Sequence, residues 1–186
     1  MATDLKRGCN ELYEACPDPE FIEVPSMNFL MSDGKSAIRG EKFQRAVEAL
    51  NEVAETLRFE QKASGMDFQI MPLEGFYDCP TCWTLAIRVP AQITADHVNR
   101  AKAEAAEKKD LSQLGVMRLQ DFWEGQAVQV LHVGPYGEEW RAIDKVQAFI
   151  AEKGMVSRGR HHELYISDPL RTPPEELRTI IRQPCA

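Results

Sequence analysis

The chain has 186 residues, 44% of them hydrophobic and 27% charged, with a formal charge of −7. This is the composition of a water-soluble globular protein, long enough for one sizeable domain or two small modules sharing a core. No apolar run approaches the roughly 20 residues of a membrane span, "MATDLKRGCN" lacks a secretory core, and the acidic balance argues against a nucleic-acid binder, so a cytoplasmic protein is expected.

Residues 1–19 read as a loose arm or short helix that turns at "CPDPE". A strand over "FIEVPSMNFLMSDG" follows, with Pro25 marking a bulge or an edge position and Gly34 ending it. Phe43, Val47, Leu50, Val53 and Leu57 recur at helical spacing, which predicts a helix stopping near Gly65. "DFQIMPLEG" and "CWTLAIRVP" are the next two strands, joined by the loop "FYDCPT" that carries Phe76 and Tyr77. Trp83, Leu85, Ile87 and Val89 share one face of the second. "TADHVNRAKAEAAEKKD" is a second helix, N-capped by Thr94. Its thin stripe of alanines with Val98 suits a surface connector.

The second half repeats the order. "QAVQVLHVGPYG" is a strand closed by a Gly-Pro-Tyr-Gly turn. A helix follows with Trp140, Ile143, Val146 and Ile150 on one face, Glu138 and Glu139 in its first turn and Gly154 at its end. "HHELYISDP" is a strand, "TPPEEL" a helical turn with Thr172 and Glu175 as a capping box, and "TIIRQP" the closing strand. Two echoes link the halves: the strand-to-helix glycines Gly34 and Gly134, and "AIRVP" against "IIRQP". The expected fold class is α+β, built from duplicated βαββ modules related by a pseudo-twofold. The sheets are largely antiparallel, with helices on one side and a ligand groove between the modules. The boundaries are an arm over 1–19 and a single domain over 20–186, made of a first half 20–92, a connecting helix 93–112 and a second half 113–186. On this layout Leu164 and Ile166 meet the helix, and Glu163 with Tyr165 faces away from it, into the groove.

Five cysteines make a closed disulfide framework unexpected. Cys79 and Cys82 form a CxxC that opens a strand, where a redox motif opens a helix, and Cys9 and Cys16 lack zinc-knuckle spacing. The pair reads as reduced thiols in a loop, and no metal or cofactor is expected. No Walker loop, dinucleotide fingerprint or Ser-His-Asp arrangement is present.

The duplicated plan, "HVGPYGEEW" and "HHELYISDPLRTPPEELRTIIRQP" together resemble the GyrI-like small-molecule-binding domain family, over roughly residues 20–186. The chain is similar to its stand-alone branch, which carries no DNA-binding domain. The resemblance implies two modules with a groove that takes flat, lipophilic cations against aromatic rings and an acidic residue. By position it makes Glu163 the groove carboxylate and Tyr165 its neighbour, with Tyr136 and Trp140 nearby. Further candidates to line a site for such a cation are Tyr77, Trp83, Phe122, Trp123 and Met71. Trp83 alternates with Leu85 and Ile87, which puts it on the helix side unless a bulge turns it. Phe122 and Trp123 are adjacent, so on a strand one of them at most enters the groove. The implied function is binding of cationic aromatic molecules. The alternative is hydrolysis of cyclopropyl rings in DNA-alkylating compounds, with Glu163 activating water and Tyr165 orienting it.

Overall fold

The computed structural model describes residues 5, 10–108 and 113–186. Expectations for Cys9 and for a helix end at 109–110 lie outside them. Among the described residues the chain forms an α+β fold with three α-helices and eight strands. The elements in order are β1 (Glu20–Val24), β2 (Met27–Lys35), α1 (Glu41–Ala63), β3 (Leu73–Cys79), β4 (Cys82–Arg88), α2 (Ala95–Lys108), β5 (Met117–Phe122), β6 (Gly125–Val133), α3 (Trp140–Glu152), β7 (His161–Tyr165) and β8 (Arg178–Pro184). Single 3-10 turns span Asn10–Tyr13, Leu114–Val116 and Pro174–Glu176. No helix is long and apolar enough to cross a membrane among the described residues.

Two compact units divide the chain, and they do not follow its halves. The first holds Met27–Phe122; the second joins the described residues of 10–26 to Trp123–Ala186. The single strand expected over 21–34 is in fact two, because Pro25 lacks the N–H a continuous ladder needs. β1 pairs with β6 in the second unit, and β2 pairs with β4 and β5 in the first.

In the first unit the antiparallel strand order is β3, β4, β2, β5. α1 buries Phe43, Ala46, Ala49, Leu50, Val53, Ala54 and Leu57, the stripe that a 3.6-residue period places on one side. Each of its larger side chains contributes about 1.5–3 kcal/mol by burial. The helix stops where Gly65 takes φ 88°, a left-handed conformation that glycine adopts without penalty. α2 packs on α1 and buries Val98, Ala101 and Ala105, so it is a core element of this unit, not a surface connector. The backbone N–H of His97 reaches Thr94 Oγ at 3.4 Å, at the start of α2. Gly34 does not end β2: it pairs with Trp83 inside the ladder, and the indole fills the space a Cβ would occupy. Phe76 and Tyr77 belong to β3, not to a loop, and β5 was not foreseen as a strand.

Cys79 and Cys82 face each other across the β3–β4 turn with Cα atoms 4.9 Å apart and are joined as a disulfide. The expectation of reduced thiols is corrected here: the turn itself sets a separation that suits a bridge.

In the second unit the order is β1, β6, β8, β7, again antiparallel. Ala142, Val146 and Ile150 of α3 pack on Val128 and Val130 of β6, Ile181 of β8, and Cys185. Trp140 does not join them; it is 55% exposed, with the Arg141 guanidinium 5.0 Å from its ring centre. Glu139 sits at the N-cap of α3, ahead of the first turn. The capping box at Thr172 does not form either, since Pro173 takes the cap position and no side chain bonds there.

Candidate functional site

Register decides which face of β7 carries which chemistry. Glu163 pairs with Ile181, and Ile181 pairs with Val130. Both apolar partners pack under α3, so Glu163 and Tyr165 project from the helix-bearing face of the sheet. Leu164 pairs with Ile180 on the opposite face. The expected assignment of faces is therefore reversed. Period-two alternation fixes that residues 163 and 165 share a side, and only the pairing partners fix which side it is.

Glu163 is 8% exposed. The Tyr165 hydroxyl donates to its Oε2 at 2.8 Å, and His161 Nε2 lies 3.0 Å from Oε1. A carboxylate only accepts, so the Nε2 hydrogen is the one in that contact. His161, Glu163 and Tyr165 are alternate residues of one strand, which is why three functional groups converge within a single β7 face. The Tyr165 ring meets Tyr136 edge to face, with centroids 5.5 Å apart. Tyr136 is held there by the "GPYG" loop. Gly134 and Gly137 take φ 148° and 98°, and Gly137 N–H donates to the Glu139 carboxylate at 2.6 Å. The result is a largely buried carboxylate, two hydrogen-bond donors on its oxygens and two phenol rings beside it. Such a group offers negative charge and aromatic faces in one place, the combination that holds an organic cation.

The other candidates lie elsewhere. Trp83 is buried against Phe43 of α1, centroids 5.2 Å apart, and its Nε1–H donates to Ser36 Oγ. Tyr77 pairs with Trp83 and is 8% exposed, its phenol lying over Gly75. Met71 is buried in the segment before β3. Phe122 packs edge-on against Phe76, centroids 5.0 Å apart. Trp123 is 62% exposed in the β5–β6 turn, with the Arg158 guanidinium 5.7 Å from its ring centre. Within the second unit, the structure brings together Glu163, Tyr165 and Tyr136, and leaves Trp123 and Trp140 on the surface against arginines.

Sequence reasoning missed the polar network on the other face of the same strands. His162 Nδ1 sits 3.1 Å from both Glu124 oxygens. Arg182 is fully buried beside them: it lies 3.6 Å from Glu124 and donates to Gln129 Oε1 at 2.8 Å and to the Leu12 carbonyl at 2.7 Å. Gln129 in turn donates to the carbonyls of Glu11 and Glu14, so the N-terminal arm is pinned across this face. Burial pushes the Glu124 carboxyl upward, but His162 and Arg182 outweigh it and hold the group below the ordinary carboxylate range. The signal was present in "IIRQP", where Arg182 alternates with residues of a core strand. Beside the arm lies an open depression of about 670 Å³ lined by Glu11, Glu14, Glu20, Tyr13, Ile166 and Arg178.

A carboxylate buried among phenols on an antiparallel sheet is a group that can hold a small organic molecule. The chain matches the GyrI-like small molecule binding domain over residues 17–185 and belongs to that family. It is 35% identical to an uncharacterized conserved protein from Listeria innocua, with a TM-score of 0.90 and coverage of 98% of this chain and 99% of that one. A hydrolase from Listeria innocua is also 35% identical, with a TM-score of 0.88 and the same coverage. The C-terminal domain of EcmrR shares the fold at 14% identity, TM-score 0.64, over 91% of this chain and 97% of that domain. No curated protein matches.

Proposed function

We propose that the site around Glu163 binds lipophilic, mainly cationic aromatic molecules. The observation that carries this reading is the arrangement of the Glu163 carboxylate between His161 and Tyr165, with Tyr136 edge-on to the Tyr165 ring. Apolar and aromatic surface supplies roughly 25 cal/mol per Å² buried. A cation over a ring adds about 0.5–2 kcal/mol, and the carboxylate's attraction grows as the ligand excludes water. The shared order of elements in the two units supports an origin by duplication. Titrating the protein with tetraphenylphosphonium tests the reading. Glu163→Gln should lower its affinity about tenfold, the loss of one modest charge interaction of about 1.4 kcal/mol. Unchanged binding removes Glu163 from the account.

A second reading is favoured by the 35% identity to a chain described as a hydrolase. In it, Glu163 takes a proton from water and Tyr165 orients that water. The water oxygen bonds to a carbon of a strained three-membered ring, the ring C–C bond breaks, and its electron pair, delocalised into the substrate, takes up the proton. Incubation with a cyclopropane-bearing substrate and mass analysis for a gain of one water tests this directly. Turnover abolished by Glu163→Gln supports it, and absence of turnover at high protein concentration leaves binding alone.

A further inference from the structure

Beside Glu163 the core holds two buried polar atoms that the reading above does not use. Thr179 of β8 is fully buried, and its hydroxyl has no hydrogen-bond partner among the described residues; the same is true of the buried Nε2 of His132 in β6. Register sets both in line with the proposed site. Tyr165 pairs with Thr179, and Thr179 pairs with His132, giving one row across β7, β8 and β6. Directly opposed residues bring their Cβ atoms within about 4.5–5.5 Å. This row lies on the same face as Glu163 and next to the row of Glu163, Ile181 and Val130.

An orphaned buried polar group costs about 1–3 kcal/mol, and adjoining orphans are unusual in a finished core. Gly134 stands at φ 148°, where a Cβ would come within 3.4 Å of both Cε1 and Nε2 of His132. A Cβ there would touch the imidazole edge whose nitrogen is unpaired.

We propose that Thr179 Oγ and His132 Nε2 form an oxygen-binding subsite of the Glu163 site. It receives a hydroxyl or carbonyl oxygen carried by an aromatic ligand whose rings pack on Tyr136 and Tyr165. A threonine hydroxyl donates or accepts, and imidazole Nε2 does either according to tautomer, so both kinds of oxygen are satisfied. An oxygen-free ligand leaves both groups unpaired. The subsite rests on the reading of Glu163 as the ligand-binding carboxylate and adds to it a preference for oxygenated aromatics.

The test uses a matched pair of probes, tetraphenylphosphonium and its analogue with one 4-hydroxyphenyl ring. Affinities are measured for wild type, Thr179→Val, Thr179→Ser and Glu163→Gln. Thr179→Val should lose about tenfold in affinity for the hydroxylated probe, the scale of one buried hydrogen bond, with no change for the parent compound. Thr179→Ser should retain wild-type discrimination. Thr179→Val weakening both probes equally, or neither, overturns the subsite. Should Thr179→Val fail to fold, His132→Phe is read by the same criterion. Glu163→Gln separates the two ideas: discrimination that depends on Thr179 while Glu163→Gln changes neither affinity sinks the carboxylate reading and keeps the oxygen subsite.

Discussion

In the first unit β4 runs between β3 and β2, and in the second β8 runs between β7 and β6. Aligning Arg88 with Arg182 matches their rows residue for residue. Leu73 and Gly75 then stand where Glu163 and Tyr165 stand, and Leu85 with Ser32 where Thr179 and His132 stand. The opposite faces differ as well. In the first unit that face holds the rings of Phe29, Phe76 and Phe122 together with the fully buried Glu74. In the second it holds Glu124, His162, Gln129 and Arg182. One arrangement of strands thus carries two chemistries. On the matched rows the first unit places Leu73, Gly75, Leu85 and Ser32, and the second places Glu163, Tyr165, Thr179 and His132.

The largest loss should come from Arg182. Arg182→Met leaves Glu124 without its buried guanidinium and frees the Leu12 carbonyl, which should cost about 3–5 kcal/mol in urea unfolding. A loss of no more than about 1 kcal/mol, the size of an exposed pair, would erase the role given to this buried network. Next comes the hairpin clamp. Opening a disulfide that closes a four-residue loop should cost about 2 kcal/mol by chain entropy, so Cys79→Ser/Cys82→Ser should unfold correspondingly earlier than oxidised wild type. No such clamp spans residues 166–177, which connect β7 to β8.

Acid sharpens the contrast in a different way. The Glu124 carboxyl is held low in the folded chain, so its contribution is complete above about pH 4.3, the unperturbed value. It is lost as pH falls through the lower folded value. Stability below about pH 4 should therefore fall more steeply for wild type than for Glu124→Gln. The smallest effect belongs to Ser32. Its hydroxyl is buried without a partner in the first unit, so Ser32→Ala should be neutral or stabilising by up to about 1 kcal/mol. It should change no ligand affinity, in contrast to Thr179→Val.

Much of this architecture could be read from local pattern. The α1 stripe, the glycine stop at Gly65, the α3 face through Val146 and Ile150, and the alternation in β4 and β7 all follow from period and turn chemistry. What escaped is what only pairing partners decide. Pro25 could be read as a bulge, but not as the point where one strand leaves for another unit. Glu163 and Tyr165 could be placed on a common side, but the register with Ile181 put that side toward α3. The Glu124, His162 and Arg182 network joins residues 58 positions apart in the sequence, so no short-range pattern announces it. The Cys79–Cys82 bridge depended on a two-residue turn bringing the thiols into register.

A crystal structure of the protein soaked with a lipophilic aromatic cation tests the central claim most directly. The account predicts the cationic centre within about 6 Å of an aromatic centroid, against Tyr136 and Tyr165, with the Glu163 carboxylate as its nearest anion. A cation found instead in the open acidic depression of Glu11, Glu14 and Glu20, with the Glu163 site unchanged, would contradict it.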